Sequence, residues 1–177
     1  MTCEYYVREL SRKDIVTLNK WRSDSKLISF LGTPYRYIDR EIDEQWFDAY
    51  QSSRGNNVRL SVCEKDTDLL VSVVYLLSID WISRNCELAI MIGDLKRRGR
   101  GIGGFSLKCA LKHAFKDLGL HKVYLTVLES NARAQRLYEK NGFEREGLLR
   151  DAVFKDGLYH NMVQMGLLQS DFEDFPS

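Results

Sequence analysis

Short apolar runs alternate with stretches of helical period along most of this chain, and together they predict its elements. Residues 4–10 read as a first strand. Ser11, with Asp14 three positions on, resembles a capping box and predicts a helix to about Trp21. Residues 25–31 read as a short helical piece ended by Gly32-Thr33-Pro34. Asp39 can cap a helix that carries Ile42, Trp46, Phe47 and Tyr50 at helical spacing. After a polar loop over 52–57, residues 58–64 and 69–79 read as two strands joined at Lys65-Asp66-Thr67-Asp68. The second is apolar on both faces, as a covered central strand is. Residues 85–92 are the fourth strand.

A helix from Gly103 to about Asp117 would bury Leu107, Ala110, Leu111, Ala114 and Leu118, with Lys108, Lys112 and Lys116 as a solvated stripe. Gly119 ends it. A fifth strand over 122–128 leads to a helix capped by Ser130 or Asn131 and ended by Gly142. Residues 143–154 and 159–168 form a hairpin turned at Lys155-Asp156-Gly157, where Asp-Gly between β-rich runs is a strong signal. The order is β-α-α-β-β-β-α-β-α-β-β, an α+β arrangement without repeats or linkers.

Composition narrows this picture little. A chain of 177 residues with 44% apolar and 29% charged positions reads as one globular domain over 1–177. A net charge of +1 gives no overall field toward nucleic acid or acidic membrane, so any basic patch is local, at 96–100. Cys3, Cys63, Cys86 and Cys109 are widely spaced, and only His113, His121 and His160 could join them. No metal site or disulfide frame is expected, and reduced thiols fit a cytoplasmic protein. Cys86 beside Glu87 reads as a buried strand-end thiol rather than a nucleophile. No signal-peptide core is present, and the longest apolar run is too short to cross a bilayer.

The candidate chemistry begins where the fourth strand gives way to a helix. Arg98-Gly99-Arg100-Gly101-Ile102-Gly103-Gly104 lies between them. Glycines let backbone N–H groups approach an anion, a helix start adds partial positive charge, and arginines suit phosphate oxygens. Spacing excludes the nucleoside-triphosphate loop, since no Gly-Lys-Ser/Thr occurs, and the dinucleotide fingerprint, since the third glycine comes too early. A solvated Arg/Gly turn is the plain alternative, and an RNA-binding segment a third.

Arg98-x-x-Gly101-x-Gly103 resembles the coenzyme A loop of the GNAT family of N-acetyltransferases. Asn131-x-x-Ala134-x-x-x-Tyr138-x-Lys140-x-Gly142-Phe143 resembles a second segment of that family, in the right order and at the right distance. Glu146-Gly147-Leu148-Leu149-Arg150 resembles a branch acting on ribosomal-protein alanine, spermidine or amino sugars. The resemblance implies a mixed, mostly antiparallel sheet with helices on both faces, splayed between strands four and five. It also implies an acyl-CoA-binding core over about 58–168 and acetyl-CoA as co-substrate with no metal. The pyrophosphate would lie against Arg98, Gly99, Arg100, Gly101, Ile102, Gly103 and Gly104. The pantetheine arm would lie in the gap, with backbone N–H groups near Met91 and Ile92 polarising the thioester carbonyl and Asn131 and Lys140 assisting. Plain core packing for Met91 and Ile92 is compatible with this, and Asn131 can equally be only a helix cap.

Tyr138 matches the family's general-acid tyrosine. A phenol is a usable proton donor to sulfur, although a core tyrosine on a buried helix face is the plain reading. Glu87, beside the expected gap, is either the base that takes the amine proton or a solvated strand-end charge. Two departures stand out. Thr126 occupies a strand-five position that is acidic in relatives acting on ribosomal-protein alanine, and Leu95 stands near the family's frequent proline. The expected reaction is transfer of acetyl to a primary amine by direct attack in a ternary complex; a non-catalytic acyl-CoA sensor is the alternative of another kind.

The acceptor, a small molecule or a peptide, stays open. Trp21, Arg22, Trp46, Phe47, Arg150, Phe154 and Tyr159 are candidate contacts, and Asp24, Asp43 and Glu44 could attract a cationic amine or simply be solvated. A membrane partner is not expected, nucleic acid is disfavoured, and a homodimer is compatible with the resemblance. Glutamate at Gly101 or Gly103 is expected to abolish coenzyme binding without unfolding the domain.

Overall fold

A computed structural model describes residues 4–93 and 99–173 of the chain. Seven strands form a single open sheet in the order β1-β2-β3-β4-β5-β7-β6. They are β1 (Tyr5–Glu9), β2 (Val58–Glu64), β3 (Leu70–Asp80), β4 (Asn85–Ile92), β5 (Lys122–Leu128), β6 (Glu144–Lys155) and β7 (Leu158–Leu168). Five α-helices lie among them: α1 (Ile15–Arg22), α2 (Ser25–Ile28), α3 (Arg40–Ser52), α4 (Ile102–Lys112) and α5 (Ala132–Lys140). Every strand pair is antiparallel except β4 with β5, so the sheet is mixed and mostly antiparallel, as expected.

Alternation along the central strands sorts side chains to two faces. Val74 and Leu76 of β3 and Leu88 of β4 join Leu107, Leu111 and Phe115 in the larger core beneath α4. Val73 of β3 and Cys63 of β2 face the other way, toward Ile15 and Leu18 of α1 and Phe47 and Tyr50 of α3. Helices therefore cover both faces, which is why β3 reads as apolar throughout.

Local chemistry explains most boundaries. Ser11 and Asp14 make the capping box, although the first turn, Arg12–Asp14, is 3-10 and the α-helix begins at Ile15. Asp39 caps α3 by accepting from the Ile42 amide. The helix α4 passes into a π-turn over His113–Asp117, closed by Leu118 N–H donating to His113 O at 3.0 Å, before Gly119 at φ +64° ends it. This wider turn leaves Leu118 half-buried rather than fully buried. The β6–β7 turn is two residues, Asp156 and Gly157, both at positive φ, so Lys155 belongs to β6. That is the geometry of a type I′ hairpin.

A polar knot holds β1 and β2 to the start of α1. Asp14 is buried and accepts from Arg8 at 2.7 and 2.8 Å, from the Ser11 amide at 2.9 Å and from the Ser61 hydroxyl at 2.9 Å. Burial pushes the Asp14 carboxyl up, but these donors more than offset it and hold the pKa below the usual carboxylate value. A depressed folded pKa stabilises the fold above the unfolded value of about 3.9 and loses that contribution as pH falls through the lower folded value. Asp14→Asn is therefore expected to lower stability at neutral pH and to flatten its decline below about pH 4. Urea unfolding at pH 7 and pH 3 checks this; an unchanged acid decline would remove Asp14 from it.

Candidate active site

The parallel pairing of β4 with β5 covers only Asn85–Lys122, Cys86–Val123 and Glu87–Tyr124. Beyond Glu87 the two strands part, while β4 stays paired with β3 as far as Ile92 and β5 with β7 as far as Leu128. Alternate residues of Leu88–Ile92 therefore turn backbone N–H and C=O groups toward a gap with no strand in it. A cavity of about 1070 Å³ occupies the fork. Glu87, Met91 and Ile92 line one side, and Thr126, Val127 and Leu128 line the other.

The start of α4 closes the Ile92 end. Gly99 and Gly101 have φ of +91° and +79°, and Gly101 is the N-cap, without a side chain to cap with. The first helical bond runs from Phe105 N–H to Gly101 O at 2.9 Å, so the N–H groups of residues 102–104 have no intrahelical acceptor. Gly99, Gly101, Ile102, Gly103 and Gly104 all line the cavity. The glycines differ in kind, however. A Cβ on Gly103 would lie 3.0 Å from Leu137 Cδ2 and 3.2 Å from Ile92 Cδ1, so its smallness serves packing, whereas Gly104 has open space. Glutamate at Gly103 requires Leu137 and Ile92 to give by a few tenths of an ångström, and at Gly101 it meets the strain of a positive φ. Arg100 is exposed and outside the lining residues, and Arg98 lies outside the described residues, as does Leu95.

Helix α5 supplies the facing wall. Tyr138 is buried against Phe143, with ring centroids 5.8 Å apart, and still lines the cavity. Burial alone pushes its phenol up to about 12. Lys140 lines the cavity together with Arg133 and Arg136, a basic edge at spacings of three and four residues. Asn131 lines it too, but both ends of its amide are engaged: Oδ1 accepts from the Ala134 amide at 3.1 Å and Nδ2 donates to Phe30 O at 3.0 Å. It is a helix cap that also ties α5 to the segment after α2. Glu87 is half-buried on the last rung before the fork and not a free strand end. Burial, then the Glu87 charge, raises the pKa of its neighbour Tyr124. Burial also pushes the Cys86 thiol up to about 12, so it stays protonated and is no nucleophile.

The candidate acceptor contacts divide. Arg22 and Trp46 line the cavity. Phe47 is core, and Phe154 and Tyr159 stack on each other, exposed, at 5.1 Å. Neither they nor Arg150 lines the cavity. No acid of α1–α3 lines it either. Asp43 is 1% exposed, paired with Arg22 and accepting from Asn19 at 2.8 Å; Asp24 caps α2; Glu44 pairs with Arg40. The position of Asp43, four and seven residues before the buried Phe47 and Tyr50, was the sign that it lies on the inner face. Arg59 and Tyr75 line the cavity and were not anticipated. The sign for Arg59 was its alternation with the buried Ser61 and Cys63 along β2.

One wall is pinned from far along the chain. Residues 30–34, after α2, line the cavity. Lys155, buried at the end of β6, donates to Ile28 O at 2.8 Å, Ser29 O at 3.3 Å and Leu31 O at 2.6 Å. One ammonium thus satisfies the open carbonyls at the end of α2.

A forked mixed sheet, with an uncapped glycine-rich helix start at the mouth of the fork and a buried tyrosine across it, defines an acyl-transferring class of fold. The model of the acetyltransferase (GNAT) domain matches residues 5–144. The spermidine N(1)-acetyltransferase of Vibrio cholerae is 31% identical over 173 residues, 97% of each chain. That of Escherichia coli K12 is 33% identical over 167 residues, 94% of this chain and 87% of the other. A crystal structure of spermidine N-acetyltransferase from Vibrio cholerae in complex with CoA and spermine superposes with a TM-score of 0.88 at 28% identity, covering 95% of this chain and 97% of that one. The chain belongs to the GNAT family and is an N-acetyltransferase. Among the described residues no helix is long and apolar enough to cross a membrane.

Lys155→Met would take the ammonium from Ser29 O and Leu31 O and leave Ile28 O with the Leu31 amide as its donor. It is expected to cost about 1–3 kcal/mol, read by urea unfolding. A loss below about 0.5 kcal/mol would mean that water replaces the ammonium at no cost.

Proposed function

We propose that this protein transfers the acetyl group of acetyl-CoA to a primary amine by direct attack in a ternary complex. The observation that carries this is the fork: an open strand edge, an acid on its last rung and a buried phenol share one cavity. The uncapped N–H groups at the start of α4, with Arg133, Arg136 and Lys140, fit the coenzyme's phosphates. Arg98 and Arg100 are assigned there only by the sequence motif. The open edge of β4 near Met91 and Ile92 fits an amide-bearing pantetheine arm and can direct an N–H at the thioester carbonyl. Asn131 acts on that arm by holding the start of α5, since its own amide is engaged.

Glu87 accepts the amine proton, directly or through one water, as the amine nitrogen bonds to the carbonyl carbon. The carbon–sulfur bond then breaks and Tyr138 gives its proton to the departing sulfur. The products are an amide and the free thiol, with both protons accounted for. A phenol with a pKa of about 12 keeps its proton at neutral pH, and a thiolate leaving into the same dry cavity becomes more basic as well. The names of the relatives support a polyamine acceptor, whereas the nitrogen chemistry requires only a neutral primary amine.

Tyr138→Phe is expected to lower kcat roughly 10²–10⁴-fold while coenzyme affinity stays within about twofold. Thiol release and calorimetry with CoA measure the two. A lost affinity with intact kcat would make Tyr138 a packing residue. At the phosphate end, Gly104→Glu puts a carboxylate in open space at the α4 start. Coenzyme affinity is expected to fall about 100-fold with an unchanged melting temperature. Unchanged affinity would place the phosphates elsewhere.

A further inference from the structure

The acceptor side of the cavity has an electrostatic character that the transfer chemistry does not use. Among the described residues six cationic side chains line the cavity, against one acid, Glu87. Arg133, Arg136 and Lys140 belong to the α5 edge, which leaves Arg22, Arg36 and Arg59 on the side of β2, α1 and the segment after α2. Arg22 already has a counter-charge in the buried Asp43. Arg59 has none: no carboxylate among the described residues pairs with it, and its Nε is buried without a hydrogen-bond partner.

Arg59 is held instead by aromatic faces and by the Tyr75 hydroxyl. Its guanidinium lies 4.6 Å from the Trp46 ring centroid, 4.7 Å from that of Tyr75 and 5.2 Å from that of Tyr50. The Arg22 guanidinium lies 5.8 Å from the same Trp46 ring. Two guanidiniums thus share one indole, and each disfavours the other. Burial, and the Arg22 charge among lesser causes, lowers the Arg59 pKa below the usual guanidinium value. Aromatic faces orient a cation but do not neutralise it. A partly desolvated cation without a counter-ion among the described residues, open to a cavity, suits an anion.

The strand register relates this site to the reacting centre. Arg59 pairs with Tyr75, and Tyr75 pairs with Ala89, two residues from Glu87 on the same face of β4. Strand spacing puts Arg59 about 10 Å from Ala89. We infer that the acceptor is an amine that also carries an anionic group, a carboxylate or a phosphate, seated on Arg59 beside Trp46 and Tyr75 while its nitrogen reaches the fork at Glu87. The inference rests on the transferase reading given above. It disfavours a polyamine, whose several ammonium groups would meet three arginines and a single acid.

The test compares matched acceptors by thiol release from acetyl-CoA: glucosamine 6-phosphate with glucosamine, phosphoethanolamine with ethanolamine, 4-aminobutyrate with butylamine, and spermidine. At least a tenfold higher kcat/KM for the anionic member of one pair is expected, and the pair that shows it separates phosphate from carboxylate. Arg59→Met, which keeps the apolar stem on the indole, is expected to bring that ratio close to one through KM, with CoA affinity unchanged. A fall in CoA affinity instead would assign Arg59 to the coenzyme and overturn the proposal. The wild-type ratio decides even where that variant fails to fold. Turnover of spermidine or of the neutral amines, with none of the anionic ones preferred, overturns the anion site and leaves the transferase intact. If no amine is turned over although CoA binds, the transferase reading is what fails. Calorimetry of the CoA-loaded protein with phosphoethanolamine, glucosamine 6-phosphate and 4-aminobutyrate then decides the anion site, with binding to the wild type supporting it and no binding overturning it.

Discussion

Three residue pairs join β4 to β5, and the site depends on their ending at Glu87. A fourth and fifth pair would use the backbone groups of Leu88–Ile92 for the sheet itself and leave no edge to receive a ligand. The strands stay apart because each is anchored elsewhere: β4 to β3 over its whole length, and β5 to β7 over seven pairs. The fork is thus the boundary between two well-paired half-sheets. Unpaired backbone at the centre of a sheet persists only if something polar completes it.

Packing on the two faces explains why the same cavity has two chemical ends. At the Ile92 end, a helix start without a capping side chain and the basic edge of α5 converge. At the other, the α1–α3 side of the sheet carries a row of polar side chains along β2, with Arg59 in the aromatic cage and Ser61 in the Asp14 knot. Two ion pairs there are structural. Asp14 and Asp43 are spent on Arg8 and Arg22, and neither is left to pair with Arg59.

Elements set by local periodicity and punctuation were legible in the sequence. The bounds of β2, β4 and β5 match the reading, and the hairpin differs in its two-residue turn at Asp156 and Gly157 and in starting at Glu144 rather than Phe143. The glycine-rich helix start and Tyr138 were legible because they are consecutive or on one helix. Charge was misjudged where it depends on contacts distant in sequence. Asp43 was left open between attracting a cationic amine and being solvated because its partners Asn19 and Arg22 come from another helix. Arg59 was passed over because its cage draws on α3 and β3. That Gly103 also packs against Leu137 and Ile92, on two other elements, was not legible.

The buried ammonium of Lys155 couples segments 127, 126 and 124 residues apart in the chain. It makes the cavity wall after α2 and the β6–β7 hairpin one mechanical body, although no strand or helix joins them. Natural or engineered exchange of that wall between relatives therefore carries a hidden requirement. A transplanted segment that does not offer carbonyls to position 155 strands a charge in the interior, and a lysine lost from the hairpin loosens a wall it never touches through its own backbone. In this chain the wall after α2 and position 155 are two distant pieces of one unit.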